Sequence, residues 1–298
     1  MTRPGPSVSV LIPTYNYGRF LPRAIDSVLA QTLKPIEILV ADDGSTDNTA
    51  EVAAAYGDRI AYERFEHAGV VAVRHAALTR LRGDWMLNLD ADDWIEPPFL
   101  EKAAALISAR GNPPDLAFVY ADRTDFGAYE RRSVLPEFNA NLLKKKNFIP
   151  FDALIRRDVA CRFGFDPAFD HGWEDYDFWI TLVKNGFTGA KLSGVPVHCR
   201  VHPASRTENT FAADAMQRLM KQITAKHADF FTPEEAATAI RYFAPEAVRR
   251  HRICEFFRAR QYGRALAHLL DTALLHPGTL FSPAAFRSIR AYFRSGPN

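Results

Sequence analysis

Trp85-Met86-Leu87-Asn88-Leu89-Asp90-Ala91-Asp92-Asp93-Trp94 decides how the chain is read. It begins as a buried strand and ends abruptly in three carboxylates within four positions. Carboxylates so close repel one another, and crowding raises at least one pKa unless a cation is shared between them. Hard divalent cations such as Mg²⁺ or Mn²⁺ take oxygen ligands and often bridge one or two carboxylates to phosphates. A strand ending in Asp-x-Asp therefore suits a metal held against a nucleotide diphosphate. The competing reading is a polar turn capping a helix that starts near Glu96-Pro97-Pro98.

Outward from this stretch, the first 120 residues alternate apolar runs with amphipathic ones. Strands are expected at Val8 to Ile12, Ile36 to Ala41, Ile60 to Phe65, Trp85 to Leu89 and Leu116 to Asp122. Helices are expected at about Phe20 to Gln31, Asp47 to Tyr56 (capped by Ser45 or Thr46), Val71 to Leu81 and Phe99 to Arg110. Strict alternation predicts an α/β fold with a mostly parallel sheet flanked by helices, which binds ligands beyond the carboxyl ends of its strands. Asp42, Asp43, Asp90 and Asp92 all fall at such ends and are expected to converge.

Residues 123–150 are less regular, and Lys144-Lys145-Lys146 reads as a solvated face. Order resumes over Phe151 to Val159. A helix from about Asp175 to Asn185 is expected to stop at Gly186, and Gly189 to His202 is expected to form one or two strands. Beyond about Thr210 the pattern is helical. There arginines (Arg249, Arg250, Arg252, Arg258, Arg260, Arg264, Arg287, Arg290 and Arg294) interleave with Phe256, Phe257, Leu269, Leu270, Phe281, Phe286 and Phe293.

The 298-residue composition, 47% hydrophobic and 24% charged with a formal net charge of +2, is that of an ordinary globular protein and gives no sign of a nucleic-acid partner. Cys161, Cys199 and Cys254 are far apart, which suits reduced thiols. With no signal-like or membrane-spanning apolar run, a cytoplasmic protein is expected, with room for contact at the inner face of the membrane.

Five motifs in order resemble the inverting family 2 glycosyltransferases, which share the GT-A fold. They are Val8-Ser9-Val10-Leu11-Ile12-Pro13-Thr14-Tyr15-Asn16; Ile38 to Asp47; Gly69 to Ala77, with Arg74; Leu89 to Asp93; and Trp173-Glu174-Asp175. The resemblance covers roughly Ser7 to Ser205. It implies a GT-A catalytic domain over 1–209, with a nucleotide-sugar-binding half to about residue 120 and an acceptor-binding half over 121–209. A C-terminal helical region then occupies 210–298.

Site residues follow from the same resemblance. Pro13, Thr14, Tyr15, Asn16, Asp43, Arg74, Asp90, Ala91 and Asp92 are expected to bind the donor, Asp43 taking the uracil N–H. Asp92 is the first choice as metal ligand for Mg²⁺ or Mn²⁺, with His202 completing the shell; Asp90 is expected to bond the ribose or a metal-bound water, and Asp93 could substitute for either aspartate. Arg74 either approaches the nucleotide or pairs with Asp42. Asp175 is the expected base, with Glu174 as the alternative. A carboxylate at a helix start is normally made less basic, so burial or acceptor binding must compensate. Trp173 either stacks on an acceptor sugar or packs in the core. By strand period His198, Arg200 and His202 share one side, and Arg200 or Arg206 is expected to clamp the diphosphate.

The implied partners are a nucleotide-diphosphate sugar, taken as a UDP-sugar from the Asp43 motif, and a glycan or lipid-linked acceptor. A peripheral membrane contact or a homodimer through the C-terminal helices is a further expectation, beside simple packing on the catalytic domain. A nucleotidyltransferase is disfavoured because Pro13-Thr14-Tyr15-Asn16-Tyr17 lacks a Gly-rich basic loop. A dinucleotide-binding dehydrogenase is disfavoured because no Gly-x-Gly-x-x-Gly follows an early strand. The remaining alternative is a catalytically inactive nucleotide-sugar-binding or scaffold protein with the same fold.

Overall fold

A computed structural model describes residues 5–202, 215–243, 253–254, 256–257, 260 and 262–275. The chain forms two compact units, Met1–His202 and Pro203–Asn298.

In the first unit the strands are β1 (Val8–Thr14), β2 (Glu37–Asp42), β3 (Ala61–Arg64), β4 (Trp85–Asn88), β5 (Trp94–Ile95), β6 (Leu116–Gly127), β7 (Arg131–Ser133), β8 (Leu154–Arg156) and β9 (Thr188–Val201). They form one sheet in the order β3-β2-β1-β4-β8-β6-β9-β5, with β7 on β6. The helices are α1 (Leu21–Leu29), α2 (Thr49–Ala54), α3 (Val70–Leu78), α4 (Phe99–Ala109), α5 (Ala140–Leu143), α6 (Arg157–Phe163) and α7 (Glu174–Lys184).

β1 is buried at every position and pairs in parallel with β2 on one side and β4 on the other, as expected for a strand covered on both faces. Val10, Ile12 and Leu87 pack with Leu21, Ile25 and Phe99 in the main core. Pairing of β1 with β4 ends at Leu11↔Asn88, so Pro13, which has no N–H to give, lies past that ladder. Beyond these ends lie the Thr14 loop, Asp42-Asp43 and the acidic turn 90–93.

The second half turns the sheet mixed. β8 runs antiparallel to both β4 and β6, while β6 and β9 are parallel. Leu192 faces Ala121 but Val197 faces Arg123, so residues 193–196 bulge out of the ladder. After the bulge, β9 pairs with β5 through Trp94↔His198 and Ile95↔Val197. This carries the end of β9 to the acidic turn.

Several expected boundaries move. β6 continues to Gly127 and folds back as β7, so part of the irregular 123–150 stretch is a hairpin. Gly189 to His202 belongs to one long strand. Neither Ser45 nor Thr46 caps α2; Ser45 is bound to Asp42, and Asp47 Oδ1 accepts from the Thr49 N–H at 3.0 Å. α7 starts at Glu174 and yields to Gly186 at φ 87°.

The second unit contains α8 (Ala215–Lys226), α9 (Pro233–Tyr242) and α10 (Tyr262–Leu275). α9 starts with a capping box between Thr232 and Glu235. Arg206, Arg249, Arg250, Arg252, Arg258, Arg287, Arg290, Arg294, Phe281, Phe286 and Phe293 lie outside the described residues. No helix among the described residues is long and apolar enough to cross a membrane.

Candidate active site

Arg74 is the hub of the cleft at the strand ends. It sits on α3, 2% exposed, with Nη1 2.8 Å from Glu174 Oε1, Nη2 2.7 Å from Asp90 Oδ1 and Nε 3.2 Å from Asn88 Oδ1. Its guanidinium lies 4.3 Å from the centre of the Phe151 ring. The planar fork thus ties the acidic turn after β4 to the first residue of α7. The expected pairing of Arg74 with Asp42 does not form: Asp42 accepts instead from Tyr62 Oη at 2.5 Å and from the Ser45 N–H at 2.9 Å.

In the acidic turn, Asp92 Oδ2 lies 3.2 Å from His202 Nε2, and the same nitrogen lies 3.1 Å from Tyr17 Oη. Burial and then the neighbouring Asp90 push the Asp92 pKa up to about 7. Burial, with Arg19 and Arg200 nearby, lowers that of His202. Asp92 offers the carboxylate oxygen that Mg²⁺ or Mn²⁺ favours, and His202 a neutral imidazole nitrogen beside it. Asp90, 41% exposed at its side chain, is held by Arg74 Nη2 at 2.7 Å.

Asp93, Asp152 and Cys199 also bring three ligand atoms within 4.8 Å of one another. All three are buried. Asp93 Oδ1 accepts from the Arg200 N–H at 2.7 Å and Asp152 Oδ1 from the Asp90 N–H at 3.0 Å. Burial and then Asp152 hold Asp93 well above the carboxylate range; burial and then Asp90 push Asp152 up to about 6. Burial likewise pushes the Cys199 thiol up, and a protonated thiol is a poor partner for a hard cation. This knot braces the turn from behind.

On the β1–β2 side, Tyr15 is half exposed and its ring stacks on His67 at 4.2 Å. Asp43 accepts from the Ala68 N–H (2.9 Å), the Gly69 N–H (3.0 Å) and His67 Nδ1 (2.9 Å). Asn16, at φ 55°, is a clip: its N–H donates to Ser45 Oγ at 2.8 Å and its Oδ1 accepts from the Thr46 N–H at 2.7 Å. Thr14 is buried and its carbonyl accepts from the Asp43 N–H at 2.9 Å. Ala91 is buried within the turn.

Across the cleft, Trp173 precedes α7 at φ 68°, a left-handed conformation that bulky residues rarely adopt. Its ring meets Tyr176 edge-on at 5.6 Å. Next to it, Asp175 Oδ2 accepts from Asn147 Nδ2 at 2.7 Å and Oδ1 from the Tyr176 N–H at 2.7 Å. Burial, then the adjacent Glu174, push its pKa up to about 7, outweighing the helix start. The Arg200 guanidinium lies between Phe20 (4.6 Å) and Phe126 (4.5 Å), and its charge acts on Asp92 and His202. His198 stacks on Trp94 at 3.7 Å and bonds Glu96 at 3.0 Å.

Tyr17, His67, Asn88, Asn147, Asp152 and Asp170 were not among the sequence candidates. Only Tyr17 and Asn88 adjoin a motif, where neighbourhood alone could have pointed to them.

The profile of Glycosyl transferase family 2 matches residues 9–170. The chain belongs to that family. An uncharacterised glycosyltransferase of Rickettsia typhi is 33% identical over 211 residues, 68% of this chain and 66% of the relative. Glycosyltransferase GlyA of Streptococcus pneumoniae is 38% identical over 97 residues, 32% of this chain and 14% of that protein. This family 2 chain therefore matches less than two thirds of either relative.

Its fold is that of the GT-A glycosyltransferases. S. aureus TarS in complex with UDP has a TM-score of 0.60 at 20% identity, covering 82% of this chain and 71% of that one. The mannosyltransferase PcManGT of Pyrobaculum calidifontis, in complex with GDP-Man and Mn²⁺, has a TM-score of 0.58 at 20% identity, covering 98% and 88%.

Proposed function

We propose that the protein is an inverting glycosyltransferase that moves a sugar from a nucleoside diphosphate to a hydroxyl acceptor. The observation that carries the reading is the Arg74 fork, which holds the acidic turn and the Glu174-Asp175 pair in one cleft. Residues 1–120 would form the donor half, 121–209 the acceptor half and 210–298 a helical region.

Asp175 takes the part of the base. Its pKa of about 7 suits proton acceptance near neutral pH, and each oxygen, with one donor from the chain, has a second lone pair that an acceptor hydroxyl would use. Glu174 is the weaker candidate because Arg74 already binds it. With one base, the hydroxyl attacks the anomeric carbon as the bond to the diphosphate breaks, and the anomeric centre inverts. The acceptor proton passes to Asp175.

Asp92 with His202 would hold Mg²⁺ or Mn²⁺, which supplies positive charge where the diphosphate leaves. Asp90, bonded to Arg74, would meet the ribose side of the donor. The exposed Tyr15 face would receive the nucleobase. A base N–H would use the second lone pair of Asp43 Oδ1 or replace His67 at Oδ2. Binding of UDP by TarS and of GDP-Man by PcManGT supports a nucleotide-sugar donor, with UDP-sugars the first to test. A glycan or lipid-linked acceptor in polysaccharide or glycoconjugate synthesis completes the reading. Most arginines expected to touch a membrane or a second copy lie outside the described residues, so neither contact is part of it.

The test is nucleotide release from UDP- and GDP-sugars with Mn²⁺ and a panel of saccharide acceptors. Asp175→Asn should lower kcat by roughly 10²–10⁴-fold while nucleotide binding is kept. Turnover that survives this change rules out Asp175 as the base.

A further inference from the structure

We propose that Asn147 is a positioning residue for Asp175, fixing the carboxylate through its side-chain amide from a segment outside every family motif in the sequence. The inference rests on Asp175 being the base.

Residues 143–149 are pinned to α7 on both sides of Asn147. Tyr176 Oη donates to the Leu143 carbonyl at 2.6 Å, and Trp179 Nε1 donates to the Ile149 carbonyl at 3.1 Å. Both donors are fully buried aromatics on the helix that starts with Glu174-Asp175. Trp179 is itself packed against Phe118 (4.9 Å) and Phe151 (5.9 Å). Asn147 therefore reaches Asp175 from a rigid support, and support of this kind holds a reacting group in its productive geometry.

The amide is used one-sidedly. Nδ2 donates to Asp175 Oδ2 at 2.7 Å, while the buried Oδ1 has no hydrogen-bond partner. A buried acceptor left unpaired costs about 1–3 kcal/mol, so a side chain present only for stability would be expected to satisfy both ends. With the Tyr176 N–H on Oδ1, each oxygen of Asp175 has one donor from this chain. Two donors aimed at a carboxylate favour its ionised form, the form that accepts a proton. The charged groups facing Asp175 are Glu174 on its own helix, which opposes ionisation, and Arg74 from α3, which favours it. From the 143–149 segment the contact is Asn147.

The test uses full-length protein labelled with carboxyl-¹³C aspartate, with the Asp175 resonance assigned by its loss in Asp175→Asn. Asn147→Leu and Asn147→Ala should move the Asp175 titration midpoint to higher pH without loss of the folded thermal transition. The acid limb of kcat/KM with UDP-GlcNAc or GDP-mannose should move the same way, with kcat down roughly ten- to a hundredfold. An unchanged midpoint in a folded variant overturns the proposal, as does loss of folding in both variants, which would make Asn147 structural. Turnover that survives Asp175→Asn sinks the base assignment instead, and the carboxyl titration still decides what Asn147 does.

Discussion

Arg74 shows how one side chain can organise a site. A guanidinium at 2% exposure is tolerable because three acceptors from two elements surround it and Phe151 covers its face. Arg74→Leu removes the buried cation paired with Glu174 and Asp90, and stability should fall by about 3–5 kcal/mol in urea titration. Arg74→Lys should restore little, since a point charge cannot serve Asn88, Asp90 and Glu174 together. Asp175 makes a second prediction, this one about pH. Its pKa is raised in the fold, so the native state keeps the proton longer than the unfolded chain. Stability is lost as pH rises from the ordinary carboxylate range to about 7 and is level above. Asp175→Asn should therefore melt higher than wild type at pH 8 and about equally at pH 4, while wild-type kcat/KM rises through pH 7. At this scale the sequence was half legible. Asp90 and Asp92 stand out because carboxylates end an apolar run, whereas Glu174 and Asp175 are picked out by the family resemblance. Asn147 and Asp152 do not, because their roles come from tertiary contacts 28 and 62 residues away along the chain.

The start of α3 is the element on which both halves of the first unit meet. Asp43 takes the N–H groups of Ala68 and Gly69, and Asp170 Oδ1 accepts from the Val71 N–H at 3.1 Å. Two carboxylates at a helix start satisfy its free donors and its dipole. Gly69 is required there: its φ is 94°, and a Cβ would run into the Asp170 carboxylate. Gly69→Ala should cost more than about 1 kcal/mol by thermal melting and weaken nucleotide binding with it. The strands and helices of this half were readable because their apolar period is local. The 193–196 bulge was not, since nothing in Ser193-Gly194-Val195-Pro196 says which strand it leaves or that β5 waits beyond it. Yet that bulge is what brings His202 to Asp92.

For the molecule as a whole, every site side chain described above comes from residues 13–202, within the first compact unit. A chain ending at residue 209 should fold cooperatively and bind nucleotide as the full chain does, measured by calorimetry. The alternating α/β order was legible from sequence and set the strand ends where the carboxylates gather; the mixed second half, in which β8 reverses between β4 and β6, was not. Under the proposed function, Asp92 and its neighbours join a divalent ion to a nucleoside diphosphate. That role is tested most directly by calorimetric titration of UDP and GDP, with and without Mn²⁺, into wild type and Asp92→Ala. One nucleotide should bind, with Mn²⁺ required and binding lost in Asp92→Ala. Binding that ignores both the metal and the substitution, or no binding under any condition, would contradict the proposed function.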